Sequence, residues 1–377
     1  MKVWRSLVLA TAGLLVAPIA RSGHEQSVYP SYYPHEIAIA AVGPEHALER
    51  MRAGRLHAYI GGAPHFAAAA ADGIGTVASL GSFVMLKLNP DALLTKDEAS
   101  ACAVAAGILR GMAARGAGLM VHPYPVTPFH GDYLHHADRA EAARRRFLLG
   151  PQPPDDLKVR VTGRLAPSLV RGDWLSDGAS WDAAIEEVSA AHLVADDMVA
   201  LNGWLGPPWV RTGWYQAWRL LGASMEGGGP NQGLPVLVEQ LKNEPLERSA
   251  ERINQERELV RVLASGCKTM VAGYTVKREF FNADASAGVE NLSFDALEGL
   301  SSPMFLRTVK LKDFPWNGWL QLGLPEGPAA AWNPIGGFTD AFGRLMWFAV
   351  GDAAMIPSPY DAGWALNRIS DVEASPR

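Results

Sequence analysis

Only two cysteines, Cys102 and Cys267, occur in the 377 residues. That scarcity excludes metal and redox centres built from CxxC pairs, and without a CxxCH motif covalent c-type haem lacks its usual attachment. HExxH, GxSxG and a Walker loop are missing too, so zincin, serine-hydrolase and P-loop chemistry have no signature here. Positive charge is not in excess: 34 Lys and Arg stand against 39 Asp and Glu, giving a net charge of -5 and a pI near 6.1. A nucleic-acid partner is therefore not expected. No internal repeat or low-complexity stretch stands out. The longest apolar run, Leu7 to Ala20, is about 14 residues, short of the roughly 20 that a spanning helix needs.

What is present begins with a leader. Lys2 and Arg5 precede the apolar run and small residues follow it, which is the layout of a secretory signal peptide over residues 1–22. Cleavage after Ser22 sets Ala20 and Ser22 at the two small-residue positions. The mature chain is then expected in the periplasm or secreted, with no transmembrane anchor after signal cleavage. An oxidising compartment would let Cys102 and Cys267 pair, although Cys102, inside the small-apolar run "ASACAVAAGIL", also reads as a buried free thiol. An apolar content of 48% over such a length suffices for two packed domains.

From residue 35 the periodicity alternates in a regular way. "HEIAIAAV" is a strand, and "GPEHALERMRAG" a helix with Pro44 at its first position and Gly54 at its stop. "RLHAYIGG" is a second strand; after an Ala-rich loop, "GSFVMLKLN" is a third. "TKDEASACAVAAGILRGMAARG" is the clearest helix, with Thr95 as cap, Glu98 three residues on and Gly116 at its end. "AGLMVHPYP" is the fourth strand. The order β-α-β-β-α-β predicts a ferredoxin-like sandwich over residues 24–149, ending in a histidine-rich helix.

In that topology the first and fourth strands are neighbours. His35, which begins one, and His122, which ends the other, should then share a sheet edge with the segment "HPYPVTPFHGDYLHHADRAEAARRR". Three prolines keep this segment irregular before Gly131. A helix should start at Asp132, placing Asp132 and His136 on one face. His35, His122, His130, Asp132 and His136 are thus the candidate ligands for a transition metal ion (zinc, copper or iron), and a single histidine could instead serve non-covalent haem. Tyr124 and Tyr133 lie in the same segment and are candidate contacts for a small-molecule ligand. The plainer reading is a polar surface turn leading into a capped helix.

"GPQPPDD", residues 150–156, reads as a linker. A second α+β domain follows over 157–377, rich in tryptophan and of a topology that local pattern does not disclose. "LKVRVTGRL", "KTMVAGYTVKREFF", "MFLRTVKLKDF" and "NGWLQLGLP" are strand candidates there. "WVRTGWYQAWRLL" is an aromatic helix, and a long amphipathic helix should restart at Pro245. Trp204, Trp209, Trp214 and Trp218 are bunched; Trp214 and Trp218 could wall a ligand site, while their spacing of four residues suits core packing as well. "SMEGGGPNQG" is a weak phosphate-loop candidate. Asp340 caps the last helix, and it could act in catalysis only if Glu279, Glu290 or Asp352 faced it.

One further stretch, "ALERMRAGRLHAYIGG", resembles the helix-then-strand segment of periplasmic solute-binding proteins. The resemblance implies a two-lobed receptor with two crossings between lobes, and neither crossing is visible in the sequence. Four functions therefore follow. The first expectation is a periplasmic binding or accessory protein that holds metal or haem at the histidine edge, or passes it to a periplasmic protein partner. The others are a solute-binding receptor for a small molecule, a metal-assisted hydrolase or oxidase, and a structural subunit of an envelope complex.

Overall fold

A computed structural model of the chain describes residues 34, 36–61, 73–116, 118–148, 156–178, 180–194, 197, 207–225, 233–243, 249–314, 318–329, 340–350, 354–359, 363–367 and 370–371. The proposed leader, His35, nearly all of the 150–156 linker, Trp204, most of the glycine-rich loop, Pro245 and Asp352 lie outside the described residues.

Strand β1 (Glu36–Ala41) leads into helix α1 (Pro44–Arg52), which has the expected proline in its first turn. Gly54 turns the chain at φ +67° into the short β2 (Ala58–Tyr59). The third strand, β3 (Ile74–Leu88), runs for 15 residues, so "IGTVAS" belongs to it and not to a loop. Helix α2 (Glu98–Arg115) follows; Asp97, not Thr95, caps it by accepting from Ser100 N at 2.9 Å, and Gly116 ends it at φ +68°. Next come β4 (Leu119–Val121), α3 (Ala137–Leu148), β5 (Val159–Thr162) and β6 (Ala183–Ser189). Three helices then stand in series, α4 (Gly213–Leu221), α5 (Leu234–Asn243) and α6 (Ala250–Leu263). They lead to the 14-residue β7 (Thr269–Asn282). The chain continues through β8 (Val289–Glu290), α7 (Pro303–Thr308), β9 (Lys310–Leu311) and β10 (Trp319–Leu324). It closes with α8 (Ala341–Val350) and a small β11–β12 hairpin (Met355–Pro357, Trp364–Leu366). "MFLRTV", expected as a strand, is mostly the helix α7, which starts at Pro303, a residue suited to a first helical turn.

The sheet topology overturns the ferredoxin-like expectation. Eight strands form one mixed sheet in the order β1-β10-β2-β7-β3-β6-β5, with β4 paired to β7. Strand β1 lies parallel to β10, register Glu36↔Trp319, and not beside β4. The sandwich pattern assumed that consecutive apolar strands pair locally, whereas β7 and β10, from far along the chain, intervene between β1, β2 and β3. The supposed second domain contributes strands to the same sheet.

The apolar residues gather into cores on either side of the middle of β3 and β7. Alternation along β3 sends Val84, Leu86 and Leu88 to one face, against Val104, Ile108 and Leu109 of α2, and Phe83 and Met85 to the other, against Trp214, Val238 and Val260 of α4 to α6. Beyond the other end of these strands, Ile60, Val77, Phe305, Leu320, Leu322 and Leu345 form a separate core, with Met51, Tyr59 and Phe280 beside it. Residues 82–275 thus build one lobe; the segments before and after them build the other. Among the described residues no helix is long and apolar enough to cross a membrane.

Candidate functional site

Strands β3 and β7 are the two crossings that a two-lobed chain requires, and their pairing is interrupted where they cross. Leu80 pairs Val276 and Phe83 pairs Tyr274, so Gly81 and Ser82 face Thr275 alone. This is a β-bulge. Ser82 N donates to Thr275 Oγ1 at 2.9 Å, a side chain standing in for the lost ladder bond. Gly81 is required by the close approach: a Cβ there would lie 2.6 Å from Thr275 Oγ1. A second irregularity follows between Val84 and Met85, which brings Tyr274 and Val271 to the same face despite their odd spacing.

The histidine segment packs on that face. The ring of His122 sits 5.6 Å from that of Tyr274 and 6.0 Å from that of Tyr133, and Phe129 meets Tyr274 edge-on at 5.8 Å. Phe129 and Tyr133 remain partly exposed, and Leu297, from the other lobe, packs on the same cluster. The result is an aromatic platform at the crossing.

Three of the histidines there, His122, His130 and His136, are tied to protein groups. His122 Nε2 lies 2.9 Å from Val126 O, and burial holds its pKa below the ordinary value, opposed by that carbonyl. His130 Nδ1 accepts from Thr127 N at 2.9 Å, so its proton sits on Nε2 and is donated to Gln216 Oε1 at 3.0 Å. His136, fully buried, meets the Tyr124 hydroxyl through Nδ1 at 2.9 Å; burial pushes its pKa down to about 4, with the Asp132 carboxylate opposing. Burial raises the Tyr124 phenol well above its ordinary value.

Asp132 does not cap its own segment. Its carboxylate accepts from Gly213 N at 2.9 and 3.0 Å and from Trp214 N at 3.3 Å, and so caps α4. Trp214 is fully buried in the core under α4, and Trp218 packs partly buried on the same core. The structure therefore brings His122, Tyr124, Tyr133, His130, Asp132 and His136 into one neighbourhood. It does not bring β1 to the same edge, because β10, β2 and β7 separate β1 from β4. His57 is buried elsewhere, its Nδ1 accepting from Gln321 N at 2.9 Å.

Among the described residues one trio of metal-ligating side chains comes within 4.8 Å, Glu98, Cys102 and Cys267, and its sulfurs are joined in a disulfide. The two cysteines, 165 residues apart in sequence, have Cα atoms 5.0 Å apart. Glu98 steadies the bridge by accepting from Cys267 N at 2.8 Å.

A polar belt on the other side of the bulge had no signal in the sequence beyond the isolated Glu279. That carboxylate is fully buried; it accepts from Gly61 N at 2.9 Å and Leu300 N at 2.5 Å, with Lys277 Nζ at 3.2 Å. Asp340 is engaged at Gly343 N, 2.8 Å away, as the cap of α8. Next to Glu279, Asp295 is 2% exposed and ion-paired with Arg211 from the opposite lobe.

No family model matches the chain, and no curated protein does. Solved structures do show a partial likeness. The periplasmic murein tripeptide-binding protein MppA, in its unliganded open form, has 13% identity and a TM-score of 0.41 over 71% of this chain and 55% of its own. DppA from Helicobacter pylori, a periplasmic binding protein associated with an ABC transporter and solved with the peptide STSA, has 10% identity and a TM-score of 0.41 over 72% and 55%. The periplasmic EDTA-binding protein EppA has 14% identity and a TM-score of 0.35 over 64% and 52%. The chain spans little more than half the length of these proteins.

Proposed function

We propose that this protein is a periplasmic two-lobed receptor that binds a small solute between its lobes. The observation that carries the reading is the pair of long strands, β3 and β7, that join two separately cored lobes and are bulged at Gly81–Ser82 opposite Thr275. A bulge set in both crossings, between the two sets of cores, is where two lobes can pivot with little loss of pairing. The aromatic platform of Phe129, Tyr133 and Tyr274 lies at that pivot and offers flat apolar surface with phenol groups at its margin. The disulfide is in keeping with an oxidising compartment.

The test is a thermal-shift screen of the purified full chain against short peptides, amino acids and metal chelates, each repeated with and without free chelator. A receptor gains stability with ligand concentration as RT ln(1 + [L]/Kd), about 2.7 kcal/mol at a hundredfold excess over Kd. Tyr133→Ala should weaken any response. A stabilising ligand whose effect is untouched by Tyr133→Ala and Tyr274→Ala would move the site elsewhere. Stabilisation by metal salts alone, reversed by chelator, would favour the metal-binding reading instead.

A further inference from the structure

We infer that Arg211 is a reversible latch between the two lobes, holding them together through Asp295 and the Ser358 carbonyl. The inference rests on the two-lobed receptor reading and names how its closure is controlled. Arg211 stands in the turn before α4, in the lobe of residues 82–275. Its Nη2 pairs with Asp295 and its Nη1 donates to Ser358 O at 2.9 Å, both in the opposite lobe. Exposure of the two ionic side chains is 14% and 2%, so the lobes exclude water from this contact.

Both ends are built to hold their partner in place. The Asp295 Oδ1 atom accepts from Leu297 N at 2.8 Å and Glu298 N at 2.9 Å, which leaves Oδ2 aimed across the seam. Beneath it, Gly299 turns at φ +68° over the Glu279 carboxylate, and Asp295 and Gly299 exchange backbone hydrogen bonds at 3.1 and 2.8 Å. On the other side, Val210 is buried, and its carbonyl accepts from Gln216 Nε2 at 3.4 Å while Gln216 Oε1 is held by His130. Asp132 fixes Gly213, two residues after Arg211. The histidine segment thus acts as a positioning frame for the arginine.

The chemistry suits a contact that must part and re-form. A buried ion pair gives up hydration when it closes, so on opening the regained hydration offsets most of the lost attraction. An apolar seam of equal extent has no such compensation. Loss of only one partner strands a buried charge and tips the balance toward the open form.

Small-angle scattering on the full chain, wild type beside Arg211→Ala and Asp295→Asn, decides the matter. Asn keeps the oxygen that holds Leu297 N and Glu298 N, so it removes the latch and spares the loop. Both variants should show a radius of gyration about 1 Å or more above the wild type, itself near the roughly 20 Å of a compact chain of this length, with unchanged far-UV circular dichroism. Unchanged scattering in both overturns the latch. Should Arg211→Ala lose its circular dichroism, Asp295→Asn decides alone. Expanded variants without any hit in the ligand screen would sink the receptor reading only; ligand hits with unchanged scattering would sink the latch only.

Discussion

Acidification should destabilise this protein through His136 by an amount that can be isolated. The ring is fully buried, one nitrogen is paired with Tyr124, and burial lowers its pKa from 6.5 to about 4. Because the folded value is the lower one, protons bind the unfolded chain first. The stabilising contribution of the neutral ring is complete above pH 6.5 and declines as pH falls from there toward 4. Linkage over that window gives a loss of about 2 kcal/mol at pH 5 and about 3 kcal/mol below pH 4. His57 and His122 are shifted in the same direction by burial, so the wild type should lose more than this. Urea unfolding followed by tryptophan fluorescence, at about pH 7.5 and about pH 5, measures the total. His136→Gln keeps a polar group facing Tyr124 but cannot titrate there; its loss between the two pH values should be smaller than that of the wild type by about 2 kcal/mol. Equal pH dependence in the two proteins would refute the claim that a neutral, buried His136 is part of the fold.

Three further outcomes follow from contacts already described. Cys102→Ser with Cys267→Ser opens a loop of 165 residues and should lower stability by up to about 5 kcal/mol in the chain-entropy account, read as a fall in urea midpoint that dithiothreitol reproduces only in the wild type. Asp132→Ala uncaps α4 and leaves two buried N–H groups without acceptors, a cost of about 2–3 kcal/mol, of which Asp132→Asn should recover most; equal stability of the two variants would contradict the cap. Gly299→Ala sets a Cβ 2.1 Å from Glu279 Oε2 at a positive φ, and should cost more than about 2 kcal/mol by the same measurement.

Local pattern disclosed the pieces whose causes are local. The small-residue run of α2, its Gly116 stop, the proline opening α1 and the apolar β7 were all legible because sequence-near contacts decide them. The first half of β3 was not, since "IGTVAS" is small and weakly alternating and becomes a strand by pairing with Lys277–Asn282. The β1–β10 pair is likewise invisible, as no parallel strand announces its partner. The same holds for the site. A histidine-rich neighbourhood could be read, but what occupies those nitrogens could not: Gln216 reaches His130, and Gly213 takes Asp132, across more than eighty positions of sequence. Arg211 and Asp295 each look like ordinary charged residues until the fold sets them face to face.

The placement of β1 beside β10 also bears on when the chain can fold. Among the described residues the first-made strand of the outer lobe pairs only with β10 and so waits until residues beyond 318 have been synthesised, while the buried core of the lobe of residues 82–275 is complete once Tyr274 of β7 has been made. The amino-terminal strand β1 is therefore a segment that is unable to pair early. Partners thus become available from the inside outward: first the lobe of residues 82–275, which includes the first half of β7, and last the parallel β1–β10 seam.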